Sequence, residues 1–523
     1  SYNDKFGDHT VSTMVGTSAE KERYETVNAS KEGLVNNDAN QQIINAATKN
    51  PAASGSVSYH TMNSYFGRVF YSYADKYMIT ANIRWDGSSN FADKHRWGVF
   101  PSVSGGWNFR EESFIKDVVG DWFSQGKFRA AWGEIGNQNI SSGAYLTRYG
   151  NSTYYLLGNS MTPWLSGGRT NVGNPDLRWE TTRQLDFGLD LAFFNSALKF
   201  NIDYFDRKTS DMLVQVPMPA AIGLPNTPWS NAGSVKNRGF EFVLDYHGKI
   251  GNDFSYNIAG NISTYKNKVL SLGGGTNIPG KTHLGNQVNT MIEPGKPIGY
   301  FYGYKMDGVF QTQEEINNYR GGPDNTIIMP TAEPGDLKFV DLNGDGKLGE
   351  EDRTMIGNPH PDFTFGLTLS GEYKGFDLSM FFQGSVGNDI LNILKYDIYS
   401  GTGWYNAPKD IFDKFWTGPG STNENFAISA NSRDNLTMSE WYIENGSYVR
   451  LKNVTLGYTF PKQWVQKLTV QNLRLFVAAQ NLFTITSYSG LDPELGNSNP
   501  AFMGIDMGWY PQARSFMVGL SLK

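Results

Sequence analysis

Residues 183–205, RQLDFGLDLAFFNSALKFNIDYF, decide the fold of this chain. Two runs in this stretch alternate between large apolar side chains and polar or small ones, and a short turn at 195–196 joins them. The apolar set is Leu185, Phe187, Leu189, Leu191 and Phe193 in the first run, then Leu198, Phe200, Ile202 and Tyr204 in the second. Successive side chains of a strand point to opposite faces, so the stretch predicts a hairpin with one apolar and one polar face.

The same alternation recurs along the chain. It predicts about fourteen strands, near 8–18, 57–74, 76–86, 97–110, 124–136, 178–194, 197–215, 234–247, 252–267, 362–373, 375–387, 447–460, 470–484 and 514–523. Short turns alternate with long connections near 138–177, 208–233, 268–361 and 388–446, and residues 113–123 predict a short helix. This asymmetry is typical of an all-β protein, a transmembrane antiparallel β-barrel with long extracellular loops. In that barrel Phe187, Leu189 and Leu191 would contact lipid, and Asp186 and Asp190 would face the lumen.

Composition points the same way. Only 39% of the 523 residues are hydrophobic but 14% are aromatic, which suits a lipid-facing band between two aromatic girdles. No window of eighteen consecutive apolar residues occurs, so the sequence predicts no membrane-spanning helix. The net charge of -6 offers no basic field for nucleic acid. The absence of cysteine excludes disulfides and thiolate metal sites and is consistent with an exported envelope protein.

One segment of the 268–361 connection has the pattern of a calcium-binding loop. Residues 341–352, DLNGDGKLGEED, match the EF-hand loop without its flanking helices. The predicted ligands are the side chains of Asp341, Asn343, Asp345 and Asp352 and the carbonyl of Lys347. Asp352 stands where the pattern has a bidentate Glu, and an Asx-rich turn that satisfies itself is the alternative. We expect a structural calcium ion here.

Aromatic residues in the long connections are candidates for substrate binding. Rings at the mouth of a barrel can stack on the apolar faces of sugars or grip peptide side chains. Packing between loops is the alternative for each of them. The candidates are Tyr154, Tyr155, Trp164, Trp229, Trp404 and Tyr405.

The sequence shows no catalytic constellation. The six histidines have no HExxH spacing, and neither a GxSxG elbow nor a phosphate-binding GxxxxGK[ST] loop occurs. Adjacent carboxylates fall in turns or in the calcium-type loop. We therefore expect that the protein is not an enzyme.

Eleven sequence segments, in the same order along the whole chain, resemble the C-terminal part of SusC-like (RagA-like) TonB-dependent outer-membrane transporters of the Bacteroidetes. They are RWDGSSNF at 84–91, WGVFPSVSGGWNFREESF at 97–114, KFRAAWGEIGNQ at 127–138, NPDLRWETTRQLDFGLDL at 174–191, NAGSVKNRGFEF at 231–242, GKPIGYFYGYKMDGVFQ at 295–311, GDLKFVDLNGDGKLGEEDR at 335–353, IGNPHPDFTFGL at 356–367, SYVRLKNVTLGYTFP at 447–461, LRLFVAAQNLFTIT at 473–486 and GIDMGWYPQARSF at 504–516.

The resemblance implies a bacterial outer-membrane location and a barrel of about 22 strands around a plug. Residues 1–523 would be the C-terminal portion of that barrel, with 268–361 as a long extracellular insertion carrying the calcium loop. The plug and the N-terminal strands would lie outside this chain. The implied activity is active import of an oligosaccharide or an oligopeptide. A SusD-like surface lipoprotein would act as the lid, and TonB would supply energy through the plug.

Two other classes stay open. A passive porin would use the same alternating strands around an unplugged channel. A surface adhesion or glycan-binding protein would use the calcium loop and the aromatic residues without transport.

Overall fold

A computed structural model describes residues 1–36, 38–156, 163–215, 227–273, 277–281, 287–399, 405–428, 434–465, 470–496 and 499–522. The strands in these ranges are β1 Tyr2–Phe6, β2 His9–Glu32, β3 Lys49–Tyr73, β4 Tyr77–Ser88, β5 Trp97–Trp107, β6 Phe123–Asn137, β7 Arg148–Leu156, β8 Pro163–Asn171, β9 Glu180–Phe193, β10 Leu198–Ser210, β11 Leu213–Gln215, β12 Trp229–Asn231, β13 Ser234–Ile250, β14 Phe254–Ser271, β15 Ile278–Lys281, β16 Val288–Ile292, β17 Tyr300–Gly303, β18 Met306–Val309, β19 Arg320–Gly321, β20 Thr326–Ile327, β21 Leu337–Phe339, β22 Thr354–Gly357, β23 Phe363–Tyr373, β24 Phe376–Val386, β25 Asp389–Asn392, β26 Ile443–Asn445, β27 Tyr448–Thr459, β28 Leu473–Thr486, β29 Ile505–Asp506 and β30 Ser515–Leu522.

Helices are few and short. The α-helices are α1 Ser113–Val119, α2 Gln313–Asn318, α3 Leu394–Tyr399, α4 Ile411–Lys414 and α5 Lys462–Val465. The 3-10 helices are Ala39–Gln41, Ile44–Ala46, Asp93–His95, Phe109–Glu111, Glu350–Asp352, Asp434–Leu436, Glu440–Tyr442 and Pro500–Phe502. The helix predicted at 113–123 is confirmed as α1. No helix in the described part of the chain is long and apolar enough to cross a membrane.

Fifteen strands form one antiparallel sheet in the described ranges. Its order is β1 to β6 in sequence, then β9, β10, β13, β14, β23, β24, β27, β28 and β30. All fourteen predicted strands are therefore confirmed, and β1 is the one that the periodicity missed. The strand predicted at 8–18 is longer than expected, because β2 and β3 stay paired from His9 with Tyr73 to Glu32 with Lys49.

The short connections are tight turns. Lys374 (φ 47°) and Gly375 (φ 90°) form the two-residue turn between β23 and β24, directly after the pair Tyr373 with Phe376. Positive φ at both central residues gives a turn whose twist matches that of the flanking strands. The turn between β3 and β4 likewise has positive φ at Ala74 and Asp75. These turns fix the register, and with it the face on which each side chain lies.

The two faces of the hairpin β9–β10 differ in chemistry as the sequence predicted. Leu185 and Phe187 are 38% and 40% exposed, although both are apolar. On the other face the Arg129 Nη2 atom of β6 lies 2.8 Å from both Asp190 Oδ1 and an oxygen of Asp203. Charged side chains of this face thus pair with one another, while the apolar side chains of the other face are left for an apolar environment.

The chain divides into two compact units. The first comprises Ser1–Gly105, Ala131–Gln184 and Thr209–Gly233. Its buried core centres on Trp179, whose ring lies 5.3 Å from those of both Phe91 and Phe100. The Trp179 indole N–H donates to the Arg96 carbonyl at 3.0 Å. The same core contains Ile140, Ala144 and Leu177, and also Leu213, with Trp229 packed against it.

The second unit comprises Gly106–Ala130, Leu185–Lys208 and Ser234–Lys523. The described residues of three of its connections, 272–362, 387–447 and 487–514, fold together into what we call the inserted module. The parallel pairing of β25 with β29 joins the second connection to the third, and an isolated bridge between Tyr304 and Ser439 joins the first to the second. Within the first connection β17 pairs with β22. Its buried core includes Phe301, Phe310 and Tyr442. The predicted loop 268–361 is thus largely part of a folded module, which the periodicity did not indicate.

Candidate functional site

The calcium-type loop is closed by its own side chains. Asp341 accepts the N–H groups of Gly344 at 2.7 Å and Gly346 at 2.8 Å. Asn343 and Asp345 each accept the N–H two residues further on, at 2.8 and 2.9 Å. These Asx-type bonds bend the loop around positive-φ glycines at 344 and 346. The three side chains predicted as ligands are therefore held at one turn.

Asp352 has a different position from that of its three partners. It is fully buried, and its Oδ1 accepts the Leu342 N–H at 2.9 Å and the Asn343 N–H at 3.2 Å. Its Oδ2 accepts the Gly349 N–H at 2.8 Å. The carboxylate therefore ties the end of the loop to its start.

The donor set fits a hard cation in its chemistry. Calcium takes carboxylate, amide and main-chain oxygens, and Asp341, Asn343 and Asp345 keep lone pairs that the backbone N–H groups do not use. No group of three or more His, Asp or Glu side chains within the described ranges converges as a metal site. A cation here would therefore depend on Asn343 and on main-chain oxygens such as that of Lys347 as well as on carboxylates.

Within the inserted module, the residue after the loop holds the loop against two strands. The Arg353 guanidinium lies 4.8 Å from the centre of the Tyr302 ring and 5.7 Å from that of Tyr304. Its Nη2 donates to the Val288 carbonyl. The calcium-type loop is thus held against β16 and β17.

The predicted substrate-binding aromatics have different outcomes. Trp404 lies outside the described residues, and so do the side chains of Tyr154, Tyr155 and Trp164, whose backbones belong to β7 and β8. Trp229 is half-buried and packs against the core of the first unit, which includes Leu213 and Trp179. Packing, the alternative for these residues, is thus the observed environment of Trp229. Tyr405 is 61% exposed.

The inserted module contains a cavity of about 520 Å³ that the sequence did not indicate. Its lining includes a largely buried ion pair, in which Lys395 Nζ of α3 lies 2.9 Å from Glu444 Oε1 of β26. Glu444 also accepts the Ser489 hydroxyl and the Ser489 N–H, both at 2.9 Å. Burial acts to raise the pKa of Glu444, but Lys395 and Ser489 outweigh it and lower that pKa. Glu444 is therefore an anion within the cavity.

A second charged group lies at the same cavity. Tyr399 donates its hydroxyl to Asp410 at 3.1 Å, and Lys414 Nζ donates to the same carboxylate at 2.9 Å. Burial and the bond to Asp410 raise the pKa of Tyr399 to about 12. The Lys414 ammonium is the main cause that lowers the pKa of Asp410, so this group too is a neutral pair.

Aromatic side chains form the remaining wall. Trp441 is 6% exposed and donates its indole N–H to Asn425 Oδ1 at 3.0 Å. Lys395 Nζ lies 5.2 Å from the centre of its ring and donates to its carbonyl at 2.9 Å. The residues come from connections 387–447 and 487–514, so only the tertiary fold assembles them. The signal available in the sequence was the cluster of aromatic and charged residues at 394–444.

A long antiparallel sheet with an exposed apolar face, paired charges on the other face and a folded module in its connections defines a β-barrel protein of the bacterial outer membrane. The sequence profile of the family described as TonB dependent receptor-like, beta-barrel, matches residues 2–482. The chain belongs to this family. Its fold class and location are those that the sequence predicted.

The similarity of this chain to individual proteins agrees with the family assignment. TonB-dependent receptor P3 of Formosa agariphila is 35% identical over 538 residues, which cover 100% of this chain and 51% of the relative. TonB-dependent receptor SusC of Bacteroides thetaiotaomicron is 32% identical over 478 residues, covering 89% of this chain and 44% of the relative. The RagAB peptide transporter structure has the same fold, with a TM-score of 0.81 at 22% identity over 100% of this chain and 54% of that chain. The chain spans about half the length of the curated relatives it matches.

Proposed function

We propose that this chain forms much of the wall and the connecting loops of a TonB-dependent importer for large nutrients. The observation that carries the proposal is the inserted module, a folded body with its own core and cavity, built into the connections of an outer-membrane sheet. A passive pore needs only the strands that line it, whereas a ligand-binding site in the connecting loops allows a transporter to bind its substrate selectively. Import of an oligosaccharide or an oligopeptide uses both parts.

The proposal includes partners. A plug and further strands would be supplied by the rest of the polypeptide, and TonB would act on that plug. A SusD-like surface lipoprotein would cover the loops, and closure of the lid would favour the loaded state through differential binding. The relatives named SusC and RagAB support this arrangement, the second as a peptide transporter.

We also propose that calcium occupies the loop 341–352 as a structural ion. Asp341, Asn343, Asp345, the Lys347 carbonyl and Asp352 would hold it, and its charge would offset the repulsion among the three Asp carboxylates of the loop. Because Arg353 connects this loop to Tyr302, the ion would rigidify the inserted module rather than act in transport.

The import proposal is tested by uptake into cells. The gene is deleted in its host, and uptake of a fluorescently labelled panel of neutral oligosaccharides and of oligopeptides is compared with that of the parent, with and without TonB. We expect loss of uptake of at least one panel member in both mutants, restored by the wild-type gene. Uptake that needs this gene but not TonB would instead identify a passive porin. Cell-surface binding without uptake would identify an adhesion protein.

The partner proposal has a separate test. Affinity purification of the tagged full-length protein from detergent-solubilised outer membrane should recover a surface lipoprotein in a stoichiometric complex. The same purification of another outer-membrane barrel of the host is the control. Recovery of the tagged protein alone, from membranes in which the lipoprotein is present, would contradict the proposal.

A further inference from the structure

We infer that α1 and the aromatic rings beside it form an interfacial surface that inserts into the phospholipid leaflet at the turn end of the large sheet. This contact lies outside the strands, and it does not depend on whether the protein imports a nutrient. Three features carry the inference: the end of the sheet at which α1 lies, the faces of the helix, and the aromatic residues that join it to the apolar face of β9.

The connection between β5 and β6, which contains α1, lies at the end of the sheet that has the short turns. In the turn between β9 and β10, the Phe194 N–H donates to the Trp122 carbonyl at 2.6 Å, and the Ser196 N–H donates to Ser124 Oγ at 3.0 Å. The short turns of outer-membrane barrels face the periplasm. The lipid nearest to α1 is therefore that of the periplasmic leaflet.

The helix α1 has three faces of different character, because residues four apart lie on the same face. Ile115 and Val119 form one face, and both are partly buried. Phe114 and Val118 form the second face, and they are 65% and 80% exposed although both are apolar. The third face is polar and exposed, and it includes Lys116. An exposed apolar face beside a polar one is the pattern of a helix that lies in the plane of a membrane interface.

The segment is held in place at both of its ends by one side chain. Arg110 is only 8% exposed, its Nε donates to the Phe123 carbonyl, and its Nη2 donates to the Gly120 carbonyl at 3.2 Å. Helices shorter than about 12–15 residues are marginal in water, and α1 has only 7 residues. Burial of Phe114 and Val118 in lipid would therefore add support that a helix of this length needs.

Aromatic rings join α1 to the lipid-facing side of the sheet. Phe193 is the last residue in the apolar series of β9, and the Trp122 ring stacks on it with 5.8 Å between ring centres and 13° between planes. Trp122 and Phe194 are 54% and 59% exposed. Aromatic rings are enriched where a membrane protein passes from hydrocarbon to water. The exposed surface of α1 thus continues the face that contacts hydrocarbon, which favours lipid over a soluble protein as its partner.

The contact is tested by the depth of spin labels in the full-length protein, reconstituted without other proteins into vesicles of phosphatidylethanolamine and phosphatidylglycerol. These 523 residues contain no cysteine, so Phe114→Cys and Val118→Cys each place one label once any cysteine elsewhere in the polypeptide is replaced by serine. Accessibility to oxygen and to a water-soluble nickel complex gives the depth. We expect both labels to lie about 5–10 Å within the headgroup and acyl boundary. Lys116→Cys and Asp117→Cys, at exposed positions of the same helix, are the matched controls and should stay in water.

Amide hydrogen exchange gives a second measurement that needs no label. The double variant Phe114→Ser with Val118→Ser removes the exposed apolar face, so amides of 113–119 in vesicles should exchange about tenfold faster than in the wild type. Its control is Lys116→Ser with Asp117→Ser, which also places two serines in the helix but keeps the apolar face. Exchange in the control should stay within about threefold of the wild type.

The reference for lipid contact is a label at Leu189→Cys, which should lie in hydrocarbon. With that label in lipid, labels at Phe114 and Val118 that are as accessible to the nickel complex as those at Lys116 and Asp117 would overturn the inference, because the vesicles offer no partner except lipid. Equal exchange in the two serine double variants would overturn it as well. Either result would leave the strands as the membrane-spanning part and α1 as an ordinary periplasmic connection.

Discussion

Arg450 and Asp492 form an ion pair whose side chains are only 4% and 6% exposed. Arg450 lies on β27, and Asp492 lies in the connection between β28 and β30. Asp492 also accepts the N–H groups of Glu494 and Gln512, each at 2.9 Å. Burial acts to raise the pKa of Asp492, but Arg450 and these two N–H groups outweigh it and lower that pKa. The pair therefore fixes the connection 487–514 of the inserted module to a strand of the large sheet.

Breaking this pair should destabilise the protein strongly. Arg450→Met leaves the Asp492 carboxylate buried without its cation, which typically costs about 3–5 kcal/mol. Urea unfolding of the purified protein in lipid or detergent measures the free energy of unfolding. Lys374→Met is the control, because Lys374 and its partner Asp253 are 59% and 57% exposed and such pairs contribute at most about 1 kcal/mol. Equal losses in the two variants would contradict the role of the buried pair.

The apolar face of β9 should face lipid. Leu189→Arg should cost about 2–4 kcal/mol if the residue lies near the bilayer midplane, because a guanidinium there loses its hydration. The free energy of folding into lipid vesicles measures the cost. Leu34→Arg is the control and should fold as the wild type does, since Leu34 is 40% exposed in the connection between β2 and β3. Near-wild-type folding of Leu189→Arg would show that this face does not contact the hydrocarbon.

Calcium should stabilise the protein through the loop 341–352. A ligand that binds only the folded state at a hundred times its Kd adds about 2.7 kcal/mol, so the Tm of the wild type should rise with calcium and fall with a chelator. Asp341→Ala should abolish the calcium effect on Tm. Asp324→Ala, at an exposed carboxylate outside the loop, should keep it. A Tm of the wild type that is independent of calcium would remove the proposed ion.

His360 should make stability depend on pH. Its ring is largely buried, Nε2 donates to the Ile298 carbonyl at 3.0 Å, and Nδ1 accepts the Tyr265 hydroxyl at 3.2 Å. Burial lowers the pKa of His360 from its ordinary 6.5, an effect that exceeds the opposing bond to Ile298. Between pH 6.5 and the lowered pKa of the folded state, the unfolded chain therefore binds a proton that the folded chain does not.

The free energy of unfolding should consequently fall as pH drops below 6.5 and level off once pH passes the lowered pKa of the folded state. Above pH 6.5 this contribution is constant. His360→Gln cannot take up the proton, so urea unfolding at a series of pH values should show a smaller slope for this variant than for the wild type. Identical slopes would show that His360 does not titrate in this range.

The large sheet was determined by the sequence itself. Strand periodicity is local: Leu185, Phe187 and their alternating neighbours show the two faces of β9 without any knowledge of its partners. Turn chemistry is equally local, as the Lys374–Gly375 turn between β23 and β24 shows. The segment β1 was missed because Tyr2–Phe6 is too short to show a period.

The inserted module and its cavity were decided only by the tertiary structure. Phe301, Leu391 and Ile505 share one buried core, although more than two hundred residues separate the first from the last. No local period marks such a core, because each connection contributes only a few apolar residues to it. The same holds for Lys395, Glu444 and Ser489, which meet through the pairing of β25 with β26 and β29. Side-chain chemistry could be read from the sequence, but the proximity that makes it a site depends on non-local packing and hydrogen bonds.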